Sequence, residues 1–182
     1  MVRIHLVRHG RAAAGWGAHA DPGLDETGRA QAEAVAGQLA PLGPLDVLTS
    51  PLARTRETAA PLARRWGAEP RVEPRVAEIP SPTEDLEDRA AWLREAMAGT
   101  WGALDPALQR WRDAVVDCIA SLERDTVIFS HFVAINAVVG RLRNDDRMVV
   151  FRPDYTSVTA VVRDGDTLRL EALGAEADTV VR

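Results

Sequence analysis

The sequence predicts an α/β fold, a three-layer α/β/α sandwich whose sheet is mostly parallel with an antiparallel edge near the C-terminus. Three observations carry that expectation. Short apolar or β-branched runs alternate with longer stretches that show helical spacing and end signals, and helical crossovers are what parallel strands require. Two β-rich runs at the C-terminal end follow one another across only Asp164-Gly165, residue types that suit a tight hairpin turn. A length of 182 residues fits one domain, spanning 1–182, with a substantial core.

Taken in order, Val2–Val7 reads as a buried strand. Asp25-Glu26-Thr27 caps an Ala-rich helix running to about Ala40, where Pro41 and Gly43 end it. Asp46–Thr49 is a short second strand. Ser50 is expected as an N-cap with Pro51 at the first helical position, opening a helix to about Trp66. Arg71–Val76 is expected as a third strand within a proline-rich excursion from Pro70 to Pro82. Thr83–Ala98 reads as helix, and Asp105-Pro106 starts another through Leu122. Thr126–Phe129 is a β-branched and aromatic strand, followed by an apolar helix to about Arg143. Ser157–Arg163 and Thr167–Glu171 complete the sheet.

Composition excludes several chemistries. All 22 basic residues are arginine, so a lysine Schiff base, a lysine-bearing phosphate loop and a pyridoxal cofactor are ruled out. The 27 acidic residues leave a net charge of −5, which argues against generic attraction to nucleic acid or an anionic membrane. Any anionic ligand must be captured locally, by arginine. No apolar run approaches membrane-spanning length, and Arg3, His5, Arg8 and Arg11 interrupt what would be the core of a signal peptide. A single cysteine, Cys118, fits a buried position in a reducing compartment, so the cytoplasm is the expected location.

In open α/β sheets, ligands bind beyond the carboxyl ends of the strands. Arg8-His9 follow the first predicted strand, Ser50 to Arg54 the second, Glu78 the third, and Ser130-His131 the fourth. Two imidazoles, two guanidiniums and a carboxylate thus converge from four segments. An imidazole can attack phosphorus, and a guanidinium can hold phosphate oxygens through paired N–H donors. Arg56, about 200° around the helix from Arg54, is expected to be a solvated charge. His5 is expected to be structural and His19 a solvated residue of the Gly-rich loop 15–19, where Trp16 could cover a ligand.

These residues resemble the histidine phosphatase superfamily, also called the phosphoglycerate mutase-like family. Leu6-Val7-Arg8-His9-Gly10 is similar to its signature, Ser50 to Ala59 to its second block, Ser130-His131 to its distal histidine, and Asp21 to Ala32 to its first helix entry. The resemblance implies that His9 forms a covalent phosphohistidine. It also implies that Arg8, Arg54 and His131 hold the transferring oxygens, with a carboxylic acid, assigned to Glu78, protonating the leaving group. Phosphoryl transfer depends chiefly on alignment and charge stabilisation, so neither a metal ion nor a cofactor is expected. The expected activity is phosphomonoester hydrolysis on a small phosphorylated substrate. A phosphoprotein substrate, a phosphoglycerate-type mutase, a catalytically silent phosphate-binding module and the oligomeric state remain open. A serine hydrolase using Ser130 lacks the Gly-x-Ser-x-Gly elbow. Two positions depart from the family pattern: Phe132 replaces the glycine after the distal histidine, and Asn136 an arginine a few residues later.

Overall fold

A computed structural model describes residues 1–177. Among the described residues six strands form a single mixed sheet, β1 Val2–Arg8, β2 Asp46–Thr49, β3 Arg71–Val72, β4 Thr126–Ser130, β5 Val158–Asp164 and β6 Thr167–Ala172. Their order is β3-β2-β4-β1-β5-β6. Strands β3, β2, β4 and β1 run parallel, and β5 pairs antiparallel with both β1 and β6. The expected α/β architecture, with its antiparallel element at the C-terminal edge, is therefore present.

Five α-helices accompany the sheet among the described residues: α1 Glu26–Leu39, α2 Ala53–Trp66, α3 Leu86–Met97, α4 Pro106–Ala120 and α5 Phe132–Leu142. The period of two along each strand sorts the core into two layers. Ile4, Leu6, Leu48 and Ile128 face one side and pack on Val115, Ile119, Ile135 and Val138 of α4 and α5. Val7, Val47, Val127 and Phe129 face the other and pack on Val35, Leu39, Ala59 and Leu62 of α1 and α2. A third cluster joins Leu93 and Ala96 of α3 to Phe132, Val133, Trp101 and Met148, bringing α3 toward the carboxyl end of the sheet.

Local chemistry moves several boundaries away from their sequence-based positions. Ser50 is not the N-cap of α2; Leu52 holds that position, and the Asp21 side chain accepts from the Ala53 N–H at 2.9 Å to satisfy an orphan donor of the first turn. The strand expected over Arg71–Val76 stops at Val72, because Pro74 lacks the N–H that a ladder needs and opens a 3₁₀ turn over Pro74–Val76. Helix α3 begins at Leu86 rather than at Thr83, since Asp85 accepts from Glu87 and Asp88 as a true N-cap. Asp164 pairs with Thr167, so the two loop residues are Gly165 and Asp166, and Gly165 supplies the positive φ of 58°.

Candidate active site

Parallel pairing of β1 with β4 sets Arg8 opposite Ser130, and the His9 N–H donates to the Ser130 carbonyl at 3.0 Å. The two histidines after these strands consequently lie side by side, their ring centroids 5.3 Å apart. Beyond His9 the chain crosses the start of α1 at very short range. A Cβ on Gly10 would lie 2.7 Å from the Gly28 carbonyl oxygen, and one on Gly28 would lie 2.1 Å from that of Arg11. Only two glycines permit this crossing.

His9 is 6 % exposed, and its Nδ1 lies 2.7 Å from the Gly10 carbonyl oxygen. A carbonyl only accepts, so Nδ1 carries the proton and Nε2 carries the lone pair that faces the site. Arg54 donates from Nε to that Nε2 at 3.3 Å and from Nη2 to His131 Nδ1 at 3.1 Å. His131 Nε2 is then the protonated nitrogen and donates to Ser50 Oγ at 2.8 Å, while Ser50 lies 2.9 Å from Thr55 Oγ1. Burial, reinforced by the Arg54 charge, holds both imidazoles well below their ordinary pKa, so both are neutral.

Arg8 and Arg54 are each 3 % exposed. Arg8 donates from Nη1 to the Pro153 carbonyl at 2.9 Å, and its Nε has no hydrogen-bond partner among the described residues. Neither arginine has a carboxylate at ion-pair distance among the described residues. Glu78 is brought to the same end of the sheet but does not line the cavity. Its carboxyl group sits at the start of α5, accepting from the N–H groups of Ile79, Val133 and Ala134 at 3.1, 3.2 and 3.3 Å. Burial raises its pKa, opposed by those three donors and by Arg54.

The cavity above His9 has a volume of about 350 Å³. Trp16 and His19 line it, as do two residues that the sequence did not single out, Arg89 of α3 and Tyr155. His19 therefore belongs to the rim, although it is exposed as expected. Arg56 is exposed on α2, and His5 is buried within β1. Phe132 is both core and cavity wall. Asn136 serves structure: its Oδ1 accepts from Val150 and Phe151 at 2.8 and 3.2 Å. Among the described residues no three His, Cys, Asp or Glu side chains group as a metal site, and no helix is long and apolar enough to cross a membrane.

One backbone feature lies against this site. Thr156 has φ 56°, in the left-handed region that a β-branched residue rarely adopts and that costs on the order of 1–2 kcal/mol. Its N–H donates to the Arg8 carbonyl at 3.0 Å, and Arg8 returns an N–H to the Ser157 carbonyl at 3.3 Å. The strained turn is thereby fastened to the residue before the candidate nucleophile.

Comparison with known proteins agrees with this geometry. The model of the histidine phosphatase superfamily (branch 1) matches residues 4–176. A probable phosphoglycerate mutase GpmB of Photorhabdus laumondii is 30% identical over 166 residues, covering 78% of this chain and 75% of its own. The uncharacterized protein Rv0525 of Mycobacterium tuberculosis is 31% identical, covering 91% and 92%. Among solved structures, a mycobacterial glucosyl-3-phosphoglycerate phosphatase in complex with VO3 superposes with a TM-score of 0.74 at 26% identity, covering 97% of this chain and 100% of that one. The strand-end arginine and histidines, the α/β sheet that aligns them and the match over nearly the whole chain together establish that this protein belongs to the histidine phosphatase superfamily.

Proposed function

We propose that the protein hydrolyses phosphomonoesters through a phosphohistidine at His9. The observation that carries this reading is the state of the His9 ring, neutral, with Nδ1 engaged by the Gly10 carbonyl and Nε2 unprotonated between Arg54 and the cavity. Nε2 attacks phosphorus as the ester P–O bond breaks, and Glu78, the buried carboxyl group behind the cavity wall, turns from the N–H groups at the start of α5 to give its proton to the departing oxygen. Water then attacks the phosphohistidine, returning a proton to Glu78 and releasing phosphate and neutral His9. Arg8 and Arg54 hold the transferring oxygens throughout. His131 joins them by taking a proton from solvent at Nδ1 as Arg54 Nη2 turns from it to the phosphate, a step disfavoured by burial and by the Arg54 charge and favoured by an arriving dianion.

Positive charge in the cavity also suggests a substrate class. Arg8, Arg11, Arg54 and Arg89 all line it and no carboxylate does, although Arg11 is paired with Asp25 at 2.5 Å. Arg89 has no such partner among the described residues, which favours a small phosphoester bearing a second anionic group over a phosphoprotein. A mutase reading draws support from relatives named probable phosphoglycerate mutase, and it would use the same phosphoenzyme with a substrate hydroxyl in place of water.

Rapid quenching with labelled substrate tests the proposal. It should trap an acid-labile, base-stable phosphoenzyme in the wild type and none in His9→Ala, which should also lose turnover. Full activity in His9→Ala would end the reading, and phosphate binding with neither a trapped phosphoenzyme nor turnover would redirect it to a silent module. With arginine supplying the charge that a metal ion would otherwise supply, chelator should leave the rate unchanged. Release of inorganic phosphate, rather than transfer to an isomeric product, separates phosphatase from mutase.

A further inference from the structure

The Arg8 side chain is nearly fully buried, and although the Glu78 and Asp154 charges and the Tyr155 hydroxyl act on it, among the described residues no acid pairs with it and two aromatic rings lie against its guanidinium. Its guanidinium carbon lies 4.0 Å from the Tyr155 ring centroid and 5.2 Å from that of Phe132. One hydrogen bond, to Pro153, fixes Nη1 from the side. A ring quadrupole attracts a desolvated cation through the face of the cation and leaves its in-plane N–H donors available. Both rings and Arg8 line the same cavity.

The placement of Tyr155 is built rather than incidental. Its N–H donates to Asp154 Oδ1 at 2.7 Å, and the next residue is Thr156 in its left-handed conformation. The Asp154 N–H is held in turn by the Ala175 carbonyl at 2.8 Å. Strain of this kind persists only where its surroundings over-determine it, and here it lets the turn rejoin β1 at Arg8 with Tyr155 over the guanidinium. Phe132 is fixed independently as the first residue of α5. Its ring stands where the family pattern has a glycine.

We infer that Phe132 and Tyr155 are positioning residues for Arg8, an aromatic bracket that holds an unpaired guanidinium ready for phosphate. The bracket holds the cation without a carboxylate that an incoming phosphate would have to displace. This rests on the reading of the cavity as a phosphate site, but its test does not require turnover.

Calorimetric titration with inorganic phosphate reads the effect directly, with kcat and KM measured alongside and the thermal midpoint checking the fold. Tyr155→Leu should weaken phosphate binding about tenfold, whereas Tyr155→Phe, which keeps the ring, should stay within about twofold of wild type. In an Arg8→Met background, Tyr155→Leu should have no further effect, because Tyr155 acts through Arg8. Phe132→Leu, a smaller probe of a buried ring, should weaken phosphate binding in the same direction and likewise lose its effect without Arg8. Unchanged binding in Tyr155→Leu, equal loss in Tyr155→Phe and Tyr155→Leu, or an undiminished Tyr155→Leu effect in the Arg8→Met background would each overturn the inference. Failure of the wild type to bind phosphate at all would instead overturn the phosphate-site reading beneath it.

Discussion

Two buried arginines, Arg8 in the cavity and Arg112 on α4, solve the same problem in opposite ways. Arg112 is 8 % exposed and donates to Asp146 at 3.0 Å and to the Asp145 carbonyl at 3.3 Å, with its guanidinium carbon 5.2 Å from the Trp101 ring centroid. Its charge is neutralised within the fold, and it ties α4 to the loop before Met148. Arg8 has aromatic cover and one carbonyl, but no acid, and Arg54 beside it donates only to the two neutral histidines. On the proposed function, the difference separates a structural cation from one whose counter-ion is the ligand. A buried arginine without a carboxylate weakens the fold in exchange for an anion site.

Replacement by methionine should therefore split stability from activity in opposite directions at the two regions. Arg54→Met should lower kcat/KM by about 10²- to 10³-fold, the scale for removing one donor to developing transition-state charge. Its thermal midpoint should be at or above that of wild type, since a desolvated, unpaired charge is replaced by an apolar side chain. A lowered midpoint with activity retained would erase the distinction.

Glu78 sharpens the comparison, because burial raises its pKa and its charge acts on Arg54 without pairing with it. Glu78→Gln should slow alkyl phosphate hydrolysis by about 10²-fold and nitrophenyl phosphate hydrolysis far less, because nitrophenolate departs without a proton. The comparison holds when phosphoenzyme formation limits the rate. Equal slowing of both would remove Glu78 from the leaving-group role and redirect attention to Glu84 or Asp85.

Proton linkage provides the next test. His9 and His131 are held below their ordinary pKa by burial and by Arg54, so the unfolded chain binds protons first as pH falls. Their contribution to stability is fully present above about pH 6.5 and is lost progressively below it. Urea midpoints measured between pH 8 and 5 should fall in the wild type and flatten in a His9→Asn, His131→Asn double variant. Parallel curves would mean that other groups dominate.

The smallest effect is expected at the structural region. Arg112→Met should cost about 1–2 kcal/mol, a fall of several degrees in midpoint, through lost contact with Asp146 and Asp145. Its kcat/KM per folded molecule should stay within about twofold of wild type. A tenfold loss would show that the α4 side of the molecule reaches the site.

Most of the sheet and its carboxyl-end residues were legible because strand periodicity and strand ends are local properties of the sequence. Arg8, His9, Arg54 and His131 needed only their strands and the parallel order to meet. Tyr155 was not legible. Its position depends on a left-handed Thr156, which no residue preference announces. Arg89 lies on a helix whose facing is set by the packing of Leu93 and Ala96 on Phe132 and Val133, a tertiary outcome. Ser50 and the following Pro51 fit a cap by residue type, yet the Ser50 hydroxyl accepts from the Leu52 N–H, ahead of the helix, and meets His131 as well. The short β3 could have been read from Pro74, which forbids the longer strand.

The segment over the cavity hangs from a narrow neck. Ala12 pairs with Leu24, the Ala13 N–H donates to the Gly23 carbonyl at 2.8 Å, and the Asp25 N–H donates to the Arg11 carbonyl at 3.1 Å. Asp21 must stay, because its side chain caps the first turn of α2, but residues 14–20 are closed off at this base, so their length and composition can change while the glycine crossing behind His9 stays as it is. Evolution and protein engineers alike can treat that segment as an exchangeable cassette, reshaping one wall of the cavity without rebuilding the histidine beneath it.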